Sequence, residues 1–300
     1  MSPEATTGTG AAAVSVGARR FEGKIALVTG SSRGIGRALA LTLAREGATL
    51  VINYKKNAEA AADVVRQIEA LGSKAIAVQA DVENPADIDR LFQVVGEEFG
   101  RLDIFVANAA AAAFKNVLDF NVNNLDRTWN MNVRSFVLGA QRAVPLMPNG
   151  GRIVAITSYG SQRAFMTYAA LGSAKAAIES WVRYMANEFG PRGITVNAVN
   201  GGLIDTDSLA FFYGVPGNPP IDSVLAKVPL RRPGTAQEMA DTAAFLLSPA
   251  GGYITGQVIV VDGGLTISSP PYATDAIVVA PTAPESAAPE ASGPGLESGA

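Results

Sequence analysis

At 300 residues, with 48% hydrophobic and 17% charged side chains, the chain is long and apolar enough to bury a full core and too weakly charged for a disordered polymer. It contains neither cysteine nor histidine, which excludes disulfides, thiolate nucleophiles, histidine triads and most zinc sites, so no metal is expected and acid–base work falls to Tyr, Lys, Asp or Glu. Of the formal charge of −3, the last 33 residues carry −4, with Asp275, Glu285, Glu290 and Glu297 lacking any basic partner, and the first 20 carry +1, so the body between them is neutral, which argues against nucleic acid or an anionic membrane as partner.

Residues 1–20 are Ala, Gly, Thr and Ser without periodicity, and residues 269–300 are rich in Pro, Ala, Ser and Glu, so both ends read as disordered tails. No stretch reaches the roughly 18 to 20 apolar residues of a membrane span, and the start lacks the basic and Leu-rich pattern of a signal peptide, which makes the cytoplasm the expected address. Between the tails, short runs rich in β-branched residues at 25–29, 49–52, 75–78, 104–106, 153–156, 195–199 and 258–261 predict buried parallel strands. Segments such as 58–71, 87–99 and 174–189 place apolar residues at three- and four-residue spacing with charges opposite, as crossover helices do. Strand and helix alternate from 21 to 268, which predicts an α/β fold, one doubly wound parallel sheet without a second domain.

Directly after the first strand, Thr29-Gly30-Ser31-Ser32-Arg33-Gly34-Ile35-Gly36 leads into a helical pattern. Glycines there let backbone N–H groups approach a pyrophosphate at a helix N-terminus, where the dipole favours negative charge. A tight turn alone would also use glycine, but between strand and helix the loop reads as the dinucleotide site of a Rossmann domain, formed by Gly30, Ser32, Arg33, Gly34, Ile35 and Gly36. At the end of the second strand, where NAD-selective sites place an acid on the ribose, the chain has Asn53-Tyr54-Lys55-Lys56. With Arg33 and Lys55 nearby a 2′-phosphate is accommodated and NADPH is the expected cofactor; the alternative is that the lysines only solvate a loop.

Asp81-Val82 follow the third strand and Asn108-Ala109-Ala110 the fourth, Asn132 falls in a helical stretch, and Ser158 and Lys175 stand 17 residues apart. Val261-Asp262-Gly263-Gly264 closes the last strand. In this order, over residues 21–266, the motifs resemble the short-chain dehydrogenase/reductase family. The resemblance implies that Asp81 and Val82 contact the adenine, that Asn108 and Thr206 lie against the cofactor, that Asn132 holds a proton-relay water, and that the closing segment meets another subunit of a dimer or tetramer. Ala107 and Ala110 depart from the family's Asn-Asn-Ala-Gly turn, the second by losing a permissive glycine.

Most members place a tyrosine four residues before the lysine, where this chain has Leu171, which has no proton to give. Tyr168 stands seven residues before Lys175 and shares its helical face if both lie on one regular helix. This Tyr-x6-Lys spacing, with residues 158–163 and 201–207, resembles the bacterial enoyl-acyl-carrier-protein reductases, the NADPH-dependent type III form especially. That branch implies hydride transfer to the β-carbon of an α,β-unsaturated acyl thioester, carried on coenzyme A or an acyl carrier protein. Tyr168 and Ser158 would hydrogen-bond the enolate oxygen, and Lys175 would bind the nicotinamide ribose and lower the phenol pKa. Two other readings stay open: a carbonyl reductase using the same residues, and an inert cofactor-binding protein, which Leu171 prompts. Tyr159 is the competing proton donor. Residues 208–228, with Phe211-Phe212-Tyr213, fall where the family has a mobile substrate lid.

Overall fold

The computed structural model describes residues 19–267; of the two expected tails, residues 1–18 and 268–300 lie outside the described residues. The first half alternates β1 (Ile25–Val28), α1 (Gly34–Arg45), β2 (Thr49–Tyr54), α2 (Ala58–Ala70), β3 (Ala75–Gln79), α3 (Pro85–Phe99) and β4 (Ile104–Ala107). It continues through α4 (Val122–Trp129), a π-helical turn at Asn130–Arg134, α5 (Ser135–Ala143), β5 (Gly151–Ser158), α6 (Ala169–Phe189) and β6 (Ile194–Gly201). The chain then runs through β7 (Ile204–Asp205), α7 (Asp207–Tyr213), α8 (Ile221–Leu225), β8 (Gly234–Thr235), α9 (Ala236–Leu247) and β9 (Val258–Val261).

Seven strands form one parallel sheet in the order β3-β2-β1-β4-β5-β6-β9, the doubly wound arrangement expected from the alternation. Each strand's alternating side chains feed two cores. On β1, Ile25 and Leu27 join the core under α3, α5 and α6, whereas Ala26 and Val28 join the one under α1, α2 and α9. Among the described residues no helix is long and apolar enough to cross a membrane.

Several elements outrun their sequence patterns. β5 and β6 pair over eight residues, from Gly151 opposite Ile194 to Ser158 opposite Gly201, so pairing carries both strands past their apolar runs and brings Ser158 to the sheet's C-terminal edge. α6 starts at Ala169 rather than 174, because Ala169, Ala170 and Leu171 are strong helix formers and Gly172 N donates to Tyr168 O at 2.8 Å. α3 starts at Pro85, favoured at a first helical turn, behind the Asn84 cap. The strand order reverses between β1 and β4, which opens a crevice at their C-terminal ends. β7 and β8 pair with each other, so the excursion through α7 and α8 is pinned at both ends beside that crevice.

Candidate cofactor and catalytic site

The glycine loop stands at the mouth of the crevice. Gly30 and Gly34 have φ of +62° and +56°, the left-handed region that glycine occupies without strain. A Cβ on Gly36 would meet Asn108 Nδ2 at 2.5 Å, and one on Gly34 would find only Thr206 Cγ2, 3.8 Å away across the crevice. The N-terminus of α1 is not capped by a side chain: Arg33 occupies the cap position without a side-chain bond to the helix amides, which leaves the first amides of the helix for an anion. Ser32 is half-buried beside it, and Ile35 packs toward the core. This cradle of glycine backbone and an uncapped helix end fits a pyrophosphate.

Asn53, singled out in the sequence only as a missing acid, proves to be the loop's buried anchor. Its Oδ1 accepts from Gly30 N (3.1 Å) and its Nδ2 donates to Ala80 O (3.1 Å). Thr29 anchors the opposite wall, its Oγ1 accepting from the amides of Asn108 and Ala109 while Asn108 Nδ2 donates to Thr29 O. Neither Ala107 nor Ala110 has a positive φ, so the turn forms without the family's glycine.

The basic selector differs from the expectation. Lys55 Nζ lies 2.6 Å from Asp81 and 3.7 Å from Glu83, so the lysine expected to meet a 2′-phosphate is neutralised by two carboxylates, one of them the residue expected at the adenine. Arg33 lies 3.3 Å from Asp207, both well exposed, and is the more available cation. Val82, the other residue expected at the adenine, is buried in the core.

Deeper in the crevice the structure brings Ser158, Tyr168 and Lys175 together. The Tyr168 hydroxyl donates to Ser158 Oγ at 3.0 Å, and Lys175 Nζ donates to Ile156 O at 2.8 Å. Tyr168 is not on the regular helix; it is the residue before it, with φ −98° and ψ −1°. The expected lowering of the phenol by Lys175 is also not found. Burial pushes Tyr168 up, opposed by the Ser158 hydrogen bond, and burial draws Lys175 down to about 8 against the opposing charge of Glu179. Tyr159 is turned away: its ring stacks on Phe165 with centroids 4.7 Å apart, and its hydroxyl pairs with Tyr213.

Asn132 lies in the π-helical turn, a distortion that often marks functional sites. Its Nδ2 donates to the carbonyls of Ala111 and Thr128, both at 2.8 Å, whereas its Oδ1 is buried without a partner. It shares a small cavity with Thr29, Ser135 and Lys175.

Aromatic rings enclose Tyr168. Phe114 stacks on it at 5.6 Å, Phe165 lies tilted at 4.3 Å and Phe212 meets it edge-on at 5.4 Å. Of the expected lid aromatics, Phe212 is buried in this group, whereas Phe211 is exposed. Thr206 stands at the N-terminal cap position of α7 without a side-chain cap bond, its Oγ1 donating instead to Ile204 O at 3.3 Å. Two features escaped the sequence reading. Gly160 lies under the Tyr168 ring, where a Cβ would sit 2.4 Å from Cε1, and Thr167 has a φ of 62°. Only the position of Gly160, next to Ser158 and Tyr159, could have hinted at the first.

Comparisons with known proteins place the chain in a family. Residues 30–266 match the model of a family described as enoyl-(acyl carrier protein) reductase. A 1-cyclohexenylcarbonyl-CoA reductase of Streptomyces collinus is 63% identical over 253 residues, 84% of this chain and 90% of that protein. A hydroxynaphthalene reductase-like protein of Metarhizium anisopliae is 40% identical over 82% of this chain and 96% of its own length. Among solved structures, a short-chain dehydrogenase from Burkholderia cenocepacia in complex with NADP superposes with a TM-score of 0.77 at 39% identity, covering 82% of this chain and 99% of that one. The chain therefore belongs to the enoyl-(acyl carrier protein) reductase family of short-chain dehydrogenases/reductases and is an oxidoreductase.

Proposed function

We propose that the chain reduces the carbon–carbon double bond of an α,β-unsaturated acyl thioester with NADPH as reductant. The cofactor supplies the hydride. Gly30, Gly34 and Gly36 would admit its pyrophosphate to the N-terminus of α1, Arg33 would meet the 2′-phosphate, and Asn108, Thr206 and Lys175 would hold the nicotinamide half. Hydride arriving at the β-carbon drives electron density onto the thioester oxygen, where the hydroxyls of Tyr168 and Ser158, 3.0 Å apart, converge as donors. Burial keeps the Tyr168 proton in place at neutral pH, which suits a donor. A water on the orphaned Asn132 Oδ1 would connect Lys175 to the interior cavity for reprotonation.

The observation that carries this reading is the Tyr168–Ser158 pair closed in by Phe114, Phe165 and Phe212, apolar faces suited to an unsaturated ring or chain. The S. collinus relative, named for a cyclohexenyl thioester, supports it. Ketone reduction is the second reading, because the same pair polarises a carbonyl and the M. anisopliae relative is named as reductase-like toward hydroxynaphthalenes. We place the activity in fatty-acid or polyketide-type biosynthesis, in the cytoplasm, on coenzyme A or carrier-protein thioesters. The working form is a dimer or tetramer, for which the exposed Leu118, Val122 and Trp129 offer apolar surface. The test is NADPH oxidation with 1-cyclohexenylcarbonyl-CoA, crotonyl-CoA and acetoacetyl-CoA. The enoyl substrates are expected to exceed the ketone in kcat/KM by at least about tenfold, with NADH a poorer donor. A preference for acetoacetyl-CoA would assign the chain to ketone reduction.

A further inference from the structure

The mechanism leaves one buried carboxyl unused. Glu179 lies on α6 one turn beyond Lys175 and is only 7% exposed. Its Oε1 accepts hydrogen bonds from Thr157 Oγ1 (2.8 Å), Ser161 Oγ (2.7 Å) and Asn200 Nδ2 (2.7 Å). These donors come from the end of β5, the turn that follows it, and β6. Asn200 Nδ2 also reaches Ser158 O (3.1 Å) and Ser161 Oγ (3.0 Å), so side chains from either side of Ser158 converge on one carboxyl oxygen and the Asn200 amide ties the Ser158 carbonyl to the same cluster. Burying a carboxylate is costly unless donors surround it, and three donors from three elements make it a junction that no ordinary core position requires.

We propose that Glu179 is a positioning residue: through Thr157, Ser161 and Asn200 it clamps the strand end carrying Ser158 to the helix carrying Lys175, and its negative charge offsets that of the buried Lys175 ammonium. The inference rests on the reading of Ser158 and Lys175 as site residues. The other groups around Lys175 carry no charge: Ile156 O on β5 accepts its hydrogen bond, Thr29, Asn132 and Ser135 share its cavity, and burial holds the Tyr168 phenol neutral. Burial works against the ammonium and Glu179 works for it.

Two variants separate charge from reach. Glu179→Gln keeps an oxygen acceptor for the three donors and removes the charge. On the intact chain, the alkaline loss of NADPH affinity, followed by nucleotide fluorescence, is expected near pH 8 in the parent and lower by roughly half to one pH unit in this variant. Glu179→Asp keeps the charge and withdraws the oxygen by one methylene, so the pH dependence should stay in place while kcat on the enoyl substrate falls about tenfold. An alkaline limb that Glu179→Gln leaves unmoved overturns the charge role. An unchanged kcat in Glu179→Asp overturns the clamp, and this variant decides the matter if the glutamine form does not fold. Absence of any alkaline limb in the parent chain would overturn the reading of Lys175 and the proposal with it.

Discussion

Tyr168 owes its position to two glycines as much as to the spacing from Lys175. Its ring lies on Gly160, and the first turn of α6 approaches the same spot through Gly172, where a Cβ would stand 2.5 Å from Gly160 O. The backbone cannot give way cheaply at such contacts, so Gly160→Ala should displace the ring and lower kcat while NADPH affinity, measured by fluorescence, is retained. Tyr168→Phe keeps the ring and removes the proton; kcat should fall by roughly 10² to 10⁴, the range for a general acid. Tyr159→Phe should cost little, because that hydroxyl is directed at Tyr213. A kcat that survives Tyr168→Phe but collapses with Tyr159→Phe would transfer the donor role. The Tyr-x6-Lys spacing was legible from sequence, but the reason it works was not. The spacing argument put both residues on one helical face, whereas Tyr168 reaches Ser158 from just outside the helix, over a turn that only glycine permits.

At the scale of elements, short runs of β-branched residues located the seven strands of the main sheet, and three- and four-residue spacing located helices such as α2, α3 and α6, because burial leaves its mark in local sequence. The ends of β5, β6 and α6 were not legible, since strand pairing and a neighbouring turn set them. The lid shows the same division. Its aromatic content was visible, but its hydrogen-bonded tie to the Tyr168 backbone, beside the direct ring contact of Phe212, runs through Thr167, a β-branched residue in the left-handed region at a cost on the order of 1–3 kcal/mol. Three hydrogen bonds hold that conformation in place. Lys115 N donates to Thr167 O (3.0 Å), Thr167 Oγ1 donates to Asn218 Oδ1 (3.0 Å), and Asn218 Nδ2 donates to Phe212 O (2.7 Å). Asn218→Ala cuts the last two and frees α7, with Phe212, from the residue preceding Tyr168. KM for the acyl substrate should rise about tenfold while NADPH affinity stays the same, because the glycine loop is untouched. Equal losses for substrate and cofactor would show instead a general loosening of the domain.

For the whole molecule, the site is a place where stability is given up. Lys175 is held below its ordinary value of 10.5, at about 8, so the folded state binds its proton more weakly than the unfolded state does. Below pH 8 both states carry the charge and folding bears the full cost of burying it. Between about 8 and 10.5 the folded state releases the proton first, so this contribution alone makes the fold more stable as the pH rises. Above 10 the tyrosines act in the opposite sense: burial raises Tyr159, Tyr168 and Tyr213, and the unfolded state loses those protons first. Lys175→Met removes only the first effect and keeps an apolar side chain of similar length in the crevice. At pH 7 the variant should therefore unfold at a higher denaturant concentration than the parent, by an amount equivalent to roughly 3 kcal/mol at most, while NADPH turnover is lost. As the pH rises from 8 to 10 the gap should close, since the parent has shed the buried charge and the variant has nothing to shed. A gap that stays constant over that range would mean that Lys175 does not titrate in the folded chain, and a gap of opposite sign at pH 7 would mean that its bond to Ile156 O and the charge of Glu179 outweigh the cost of burial.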